Sequence, residues 1–242
     1  MNIRDSVALV TGANRGIGAG FVTALLERGA QRVYATARNP SALAAAVAAD
    51  PTRVIALELD VTDGDEVAAA AARCRDLTLL INNGGTAAMT SFTGATSLEG
   101  PRAEMEVNFW GQLAMIRAFA PVLGQNGGGA ILQILSIGAM TVFPAVGTYC
   151  ASKYAANALC KGVRAELAPQ QTLVMSVFSG AIESDMSKHT PGPKISALTH
   201  AHNCLAALED GQEEYFPDFR SQRMRDSYRR DPDAFDRALR QR

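Results

Sequence analysis

Tyr149 and Lys153 stand four residues apart, and Ser136 precedes the tyrosine by thirteen residues. On a helix, side chains at this spacing lie one turn apart on the same face. A phenol has a pKa of about 10, but a nearby ammonium favours the phenolate and lowers the pKa of the hydroxyl. A serine hydroxyl beside the phenol would hold a substrate oxygen. The three residues therefore predict proton transfer to or from a C–O group.

The N-terminal region predicts a cofactor site for such chemistry. Residues 7–10 form a short apolar run typical of a buried parallel strand, and the periodic stretch after Gly18 predicts a helix that ends at Arg28–Gly29. The glycine-rich turn between them lets the backbone approach a pyrophosphate, and the helix N-terminus offers free N–H groups. The residues of this turn that we expect to bind a dinucleotide are Gly12, Asn14, Arg15, Gly16, Ile17 and Gly18.

Arg38 indicates which dinucleotide is bound. It follows the second predicted strand, twenty residues after Gly18, where folds that select NAD usually carry an Asp or Glu. No acidic residue is near it in the sequence, and a guanidinium fits the 2′-phosphate of NADP(H). Arg15 is a second candidate for that phosphate. The sequence therefore favours NADPH/NADP+ over NADH.

Together these motifs resemble the classical short-chain dehydrogenase/reductase family, over residues 5–186. The resemblance implies that Asn108, Ser136, Tyr149 and Lys153 are catalytic, with a water of the proton relay held near Asn108. It also implies that Tyr149 and Lys153 contact the cofactor. The further cofactor contacts that it implies follow the third, fourth and sixth predicted strands: Asp60, Val61, Asn83, Gly84, Gly85, Gly180, Ile182 and Ser184.

Three features depart from the family's pattern. Gly84 stands in place of an alanine, which loosens a turn at the edge of the cofactor. Ser179 stands in place of a proline, which removes a φ restraint before the nicotinamide loop. The chain also lacks the closing Val-Asp-Gly-Gly type of sequence that builds the family's tetramer, and continues instead with residues 213–218 and an arginine-rich tail. We therefore expect a homodimer or a monomer rather than that tetramer.

Apolar runs alternate with alanine-rich helical stretches along the chain. The predicted strands are residues 6–10, 33–37, 54–59, 77–81, 130–135 and 173–178. This alternation predicts an α/β fold, with one Rossmann-like, doubly wound parallel sheet flanked by helices on both faces. The length of 242 residues suits one domain, predicted as residues 1–219. Residues 220–242 form an arginine-rich helical tail, packed on the domain or extending from it.

Composition argues against several classes of protein. A net charge of −1 gives no long-range attraction to nucleic acid or to a membrane surface, and no apolar run reaches the ~20 residues of a membrane span. The four cysteines lack metal-ligand spacing and secreted-scaffold density, so we expect no metal site and a cytoplasmic protein. The histidines, His189, His200 and His202, are expected at the surface.

Residues 137–147 join the serine to the tyrosine and carry no charge. The resemblance places this segment beside the substrate. The residues expected to contact the substrate are Phe92, Met140, Phe143, Ala181 and Met186. Such a wall favours a small, uncharged and fairly apolar carbonyl compound.

The resemblance implies reversible NADPH-dependent reduction of a ketone or aldehyde, with the proton coming from Tyr149. A close alternative is a 3-oxoacyl-thioester reductase, which needs a basic surface for an acidic carrier protein; only Lys161 and Arg164 suggest one. An alternative that is not an enzyme is a non-catalytic sensor or scaffold that binds NADP(H). The complete tetrad argues against this last alternative.

Overall fold

The computed structural model describes residues 1–239, and its centre is a parallel sheet of seven strands. The strands are β1 Val7–Val10, β2 Arg32–Ala37, β3 Val54–Glu58, β4 Leu79–Asn82, β5 Ala130–Ser136, β6 Leu173–Ser179 and β7 Glu214–Tyr215. Their order is β3-β2-β1-β4-β5-β6-β7, and neighbouring strands are parallel throughout. Because the order reverses between β1 and β4, a crevice opens at the carboxyl ends of these strands.

Helices connect the strands. They are α1 Gly16–Glu27, α2 Ala44–Ala49, α3 Gly64–Arg73, α4 Glu99–Met105, α5 Gln112–Gln125, α6 Gly147–Leu167, α7 Ala197–Glu209, α8 Phe219–Arg230 and α9 Pro232–Leu239. A π-helical turn over Glu106–Gly111 joins α4 to α5. Within residues 1–239, no helix combines the length and the apolar character needed to cross a membrane.

The sheet is buried on both faces because its strands are apolar at consecutive positions. Side chains of a strand point alternately to opposite faces, so Ala8 and Val10 belong to one core, which also contains residues of α1 and α7. Val7 and Leu9 belong to a second core, with residues of α3, α5 and α6. The predicted fold is confirmed, and each of the six predicted strands agrees with an observed strand to within two residues.

The last part of the chain extends the sheet and then returns to it. β7 pairs with β6, with Glu214 opposite Ser176, and Phe216 stacks on Phe178 with 4.9 Å between ring centroids. The guanidinium of Arg225 lies 5.1 Å from the centroid of the Phe216 ring, which holds α8 against this edge. The predicted tail, residues 220–242, is helical over α8 and α9, and residues 240–242 lie outside the described residues. The domain boundary at residue 219 stays a prediction.

Candidate active site

A cleft of about 890 Å³ follows the carboxyl ends of the strands, as expected for a doubly wound sheet. Its floor is the loop between β1 and α1. Gly12 and Gly16 have φ values of +62° and +52°, in the left-handed region that favours glycine. α1 begins after Arg15 without a side-chain cap, so its first N–H groups can bind an anion. The predicted loop residues that line the cleft are Gly12, Asn14, Arg15, Gly16 and Ile17.

Gly18 does not line the cleft. A Cβ atom at Gly18 would lie 2.1 Å from the carbonyl oxygen of Gly12 and 2.7 Å from Nδ2 of Asn83. Its role in this structure is therefore to let α1 approach the backbone of the loop, and a direct cofactor contact at Gly18 stays a prediction.

The loop after β4 is fastened to β1 by Thr11. Its Oγ1 accepts hydrogen bonds from the backbone N–H groups of Asn83, at 2.9 Å, and Gly84, at 2.8 Å. Asn83 donates its Nδ2 to the carbonyl oxygen of Thr11 at 2.8 Å. A Cβ atom at Gly84 would lie only 3.2 Å from Oγ1 of Thr11, so a glycine there permits this close approach. Asn83, Gly84 and Gly85 all line the cleft.

Arg38 lies at the far end of the cleft, directly after β2. Its side chain is exposed, and Asp60 and Val61 line the same part of the cleft after β3. Hydrogen bonds from Thr62, with a smaller contribution from the charge of Arg38, lower the pKa of Asp60 below its ordinary value. Thr62 donates two hydrogen bonds to the carboxylate of Asp60. Because Asp60 is bound by Thr62, Arg38 can contact a bound anion.

Ser136, Tyr149 and Lys153 converge at the opposite end of the cleft, as the sequence predicts. Ser136 ends β5, whereas Tyr149 and Lys153 lie on one face of α6. Nζ of Lys153 lies 5.8 Å from the centroid of the Tyr149 ring and donates a hydrogen bond to the carbonyl oxygen of Ile134 at 3.0 Å. The ammonium is thus over the ring of the tyrosine and is held by β5.

Burial sets the pKa values of this pair in the free protein. It raises the pKa of Tyr149 to about 12, although a hydrogen bond with Ser136 acts in the opposite direction. Burial also lowers the pKa of Lys153 to about 8. The lowering of the tyrosine pKa that the spacing predicts is therefore not observed, because the desolvation of a phenolate outweighs its stabilisation. Tyr149 is a protonated phenol at neutral pH.

Asn108 lies behind the cleft rather than in its wall. Its side chain is fully buried in the π-helical turn, donates to the Thr86 carbonyl oxygen at 2.8 Å and to Oγ of Ser152 at 2.9 Å, and accepts from the Thr86 N–H at 3.0 Å. A Cβ atom at Gly85 would lie 3.1 Å from Oδ1 of Asn108 and 3.5 Å from Nζ of Lys153. The side chains of Asn108 and Lys153 therefore both lie close to Gly85, and π-helical turns are frequent at functional sites.

The loop that the resemblance places beside the nicotinamide, which we call the nicotinamide loop, begins at Gly180, directly after β6. Gly180 donates its N–H to Oδ2 of Asp218 at 2.8 Å, and Asp218 also caps α8 by accepting from the N–H of Ser221 at 3.0 Å. Gly180, Ile182 and Ser184, which are predicted to contact the cofactor, line the cleft. The hydrogen bond to Asp218 thus fixes the start of this loop directly after Ser179.

An ion pair crosses the cleft at its mouth. Nη1 of Arg15 lies 2.7 Å from Oδ2 of Asp185, and both side chains are largely exposed. Such exposed pairs contribute about 0–1 kcal/mol. Arg15 can therefore exchange Asp185 for a phosphate at little cost.

His200 is fully buried, so the expected surface position is wrong for this histidine. It lies on α7 where that helix packs against α1, with its ring edge-on to Phe21 at 5.8 Å. Its Nε2 is 2.8 Å from Oγ of Ser179. The serine that departs from the family's pattern thus supplies a hydrogen-bond partner for a buried imidazole, whose pKa is lowered to about 4 by burial.

We predict that His200 makes the fold acid-sensitive. Its pKa in the folded chain lies below the unfolded value of about 6.5, so the unfolded chain binds the proton first and stability falls as the pH drops from about 6.5 to 4. The shift corresponds to roughly 3 kcal/mol. Urea unfolding between pH 7 and pH 4.5 should show a smaller loss for His200→Gln than for the wild type. His189→Gln is the control, because His189 is exposed, and equal losses in all three proteins would contradict the prediction.

Two of the five residues predicted to contact substrate, Phe143 and Met186, line the cleft. Phe92, Met140 and Ala181 are not brought into it. Phe92 is exposed and packs beside Gly147, and Ala181 is buried. Met140 packs against the core beside β5 and lines a small cavity beneath α8 and α9. The 3₁₀ turn over Ile137–Ala139 carries Met140 away from the cleft, and a substrate contact at these three residues stays a prediction.

Glu104 is a buried residue that the motifs did not indicate. It lies on α4 with no exposed surface, and its Oε1 accepts the N–H of Ala88 at 2.6 Å. Among the described residues, its Oε2 has no hydrogen-bond partner. Its charge adds to the rise in the pKa of Tyr149, so it favours the protonated phenol.

Comparisons with known proteins agree with this arrangement. The family model for short chain dehydrogenases matches residues 6–193. A crystal structure of a short chain dehydrogenase from Burkholderia cenocepacia J2315 in complex with NADP is 44% identical, with a TM-score of 0.93 and 99% of both chains covered. Short-chain dehydrogenase PC-15 from Penicillium crustosum is 34% identical over 212 residues, which are 85% of this chain and 76% of that protein. The 17-beta-hydroxysteroid dehydrogenase type 1 of Homo sapiens is 32% identical over 174 residues, 68% of this chain and 53% of that protein.

Within the part of the chain that the structure describes, no group of three or more His, Cys, Asp or Glu residues could hold a metal ion. The site thus consists of a glycine-rich cradle at one end and a serine, tyrosine and lysine at the other. With its parallel sheet, its family match and its relatives, the chain belongs to the short-chain dehydrogenase family of oxidoreductases.

Proposed function

We propose that this protein catalyses the reversible, NADPH-dependent reduction of a ketone or aldehyde to an alcohol. The observation that carries the proposal is that Ser136, Tyr149 and Lys153 line the same cleft as the uncapped N-terminus of α1. One end of the cleft suits a pyrophosphate, and the other suits a C–O group.

The residues present fit NADPH. Gly12 and Gly16 adopt left-handed φ values in the loop, and the N-terminus of α1, which has no side-chain cap, offers free N–H groups to a pyrophosphate. Arg38 stands where an arginine suits a 2′-phosphate. The NADP complex of the 44% identical Burkholderia protein supports the same choice of cofactor.

When bound, NADPH supplies the hydride. The hydroxyl of Ser136 holds the carbonyl oxygen, and the protonated phenol of Tyr149 donates a proton to that oxygen as negative charge develops on it. Lys153, with a pKa of about 8, is mostly protonated at pH 7. Its positive charge over the tyrosine ring stabilises the phenolate that remains. Asn108 holds the loop after β4 through Thr86 and holds α6 through Ser152, the residue before Lys153.

The apolar side chains of Phe143, Val146 and Met186 line the same cleft as Ser136 and Tyr149 and form an apolar wall for a substrate. They exclude water from one side of the reacting carbonyl and contact an apolar substrate body. This wall supports a ketone or aldehyde with a carbon skeleton of moderate size.

The test is a panel of ketones and aldehydes, scored by consumption of NADPH and of NADH. We expect the wild type to favour NADPH by at least about 10-fold in kcat/KM, because Arg38 pairs with the 2′-phosphate. Arg38→Asp should reverse this preference, since a carboxylate repels the phosphate and accepts the ribose hydroxyl of NADH. Arg73→Asp makes the same change of charge at an exposed residue outside the cleft and should leave the preference unchanged. No carbonyl-dependent consumption of either cofactor would reject the proposed function.

A further inference from the structure

Arg220 reaches the cleft from a part of the chain that the motifs do not cover. It is the second residue of α8, is partly buried, and lines the cleft together with Tyr149 and Ser136. The capping residue Asp218 binds Gly180, at the start of the nicotinamide loop. The first turn of α8 is therefore fixed to the wall of the cleft.

Two contacts hold α8, which carries Arg220, at the reacting end of the cleft. One is the hydrogen bond from Gly180 to Asp218, and the other is the packing of α8 against Ile137–Ala139, the turn that follows Ser136. Both neighbouring segments contribute residues to the cleft wall. Arg38, by contrast, follows β2 at the other end of the sheet's crevice.

None of the residues in the described part of the chain neutralises the positive charge of Arg220. Among the described residues, its guanidinium has no hydrogen-bond or ion-pair partner, although eight ion pairs occur elsewhere. The nearest carboxylate along the chain, that of Asp218, already accepts hydrogen bonds from Gly180 and Ser221. A partly buried cation without a partner is unfavourable, and a guanidinium forms paired hydrogen bonds with a carboxylate.

We propose that Arg220 binds a carboxylate group of the substrate, so that the preferred substrate is an oxo acid whose carbonyl and carboxylate are joined by an apolar body. This inference rests on the proposed carbonyl reduction. Ser136 and Tyr149 hold the carbonyl oxygen, Phe143 and Met186 contact the body, and Arg220 binds the far anionic end. The prediction of an uncharged substrate from the sequence did not include Arg220, because it used only residues close to the motifs.

The experiment compares acids with their esters, which share one carbonyl and differ in charge. The pairs are 4-acetylbenzoate with its methyl ester and 4-formylbenzoate with its methyl ester, each assayed with saturating NADPH. We expect the wild type to have the higher kcat/KM for each acid. Arg220→Ala should lower kcat/KM for the acids by roughly 10- to 100-fold, the effect of losing a charged hydrogen bond. It should change kcat/KM for the esters by less than about threefold, and Arg220→Lys should give an intermediate loss.

Arg223→Ala is the matched control, because Arg223 lies on the same helix, is exposed and does not line the cleft. It should leave both acids and esters unchanged. Ester turnover by Arg220→Ala shows that this variant is folded.

The outcomes separate the inference from the function on which it rests. A wild type that reduces neutral carbonyls but shows no preference for either acid overturns the role of Arg220. So does an Arg220→Ala variant that raises the KM for NADPH and slows acids and esters equally, because Arg220 would then serve the cofactor. A wild type that reduces no carbonyl at all overturns the proposed function itself.

Discussion

A Tyr149→Phe variant should lose kcat by roughly 10²–10⁴-fold, the usual contribution of a positioned acid or base. The substitution removes only the hydroxyl, so the ring still fills its place beside Lys153 at the end of the cleft. Because burial raises the pKa of this phenol to about 12, the hydroxyl holds its proton across the neutral range and is ready to donate it. Stopped-flow and steady-state assays with NADPH and a reactive aldehyde would measure the loss.

Cofactor binding separates this effect from a folding defect. Tyr149→Phe should bind NADPH with a Kd within about threefold of the wild type, because the glycine loop and Arg38 are unchanged. Tyr154→Phe, on the same helix but outside the cleft, should keep full activity. Unreduced kcat in Tyr149→Phe would show that another group donates the proton.

A Gly18→Ala variant should bind NADPH at least about 10-fold more weakly and should be destabilised by roughly 1–3 kcal/mol, the usual cost of overpacking. The new Cβ atom would lie 2.1 Å from the carbonyl oxygen of Gly12, which is backbone and cannot rotate away. Either α1 or the loop must move, and both form the cradle for the pyrophosphate. Fluorescence titration with NADPH and urea unfolding would measure the two effects.

Gly162→Ala provides the matched comparison. Gly162 also lies inside a helix, but nothing lies within 4 Å of a Cβ atom built there. This variant should be unchanged or stabilised by about 0.5–1 kcal/mol, because alanine is the better helix former. If Gly18→Ala behaved like Gly162→Ala, the close contact with Gly12 would not determine the shape of the cradle.

The sheet could be predicted from the sequence because each strand is apolar at consecutive positions. A strand such as Val7–Val10 is buried on both faces, and only a parallel sheet covered by helices offers that environment. The strand of two residues, Glu214–Tyr215, gave no such signal, because its residues are only partly buried.

The site was predictable where local spacing determines it. Tyr149 and Lys153 share a helix face because of their spacing, and Gly12 and Gly16 adopt left-handed φ values that glycine favours. Arg220 and His200 depend instead on contacts between distant segments. The environment of His200 is set by α1 and Ser179, and Arg220 is brought to the cleft by α8, whose capping residue Asp218 binds Gly180. The periodicity of the sequence does not predict contacts between residues so far apart along the chain.

The pKa of Tyr149 shows a second limit. Spacing indicates that an ammonium is near the phenol, and the structure agrees. The direction of the pKa shift depends on how much water both groups lose, and burial is the largest cause for each of them. Depth in a folded protein is a property of all the elements that cover a residue, so a four-residue motif does not contain it.

The carboxylate of Asp218 stabilises two elements at once. It caps the start of α8, and it binds the first N–H of the loop after β6. The C-terminal helix and the catalytic end of the cleft therefore cannot loosen separately. Local opening of the helix, of the kind that precedes global unfolding in many proteins, releases the loop as well. Opening of this helix on heating would therefore inactivate the enzyme even while the rest of the sheet was still folded.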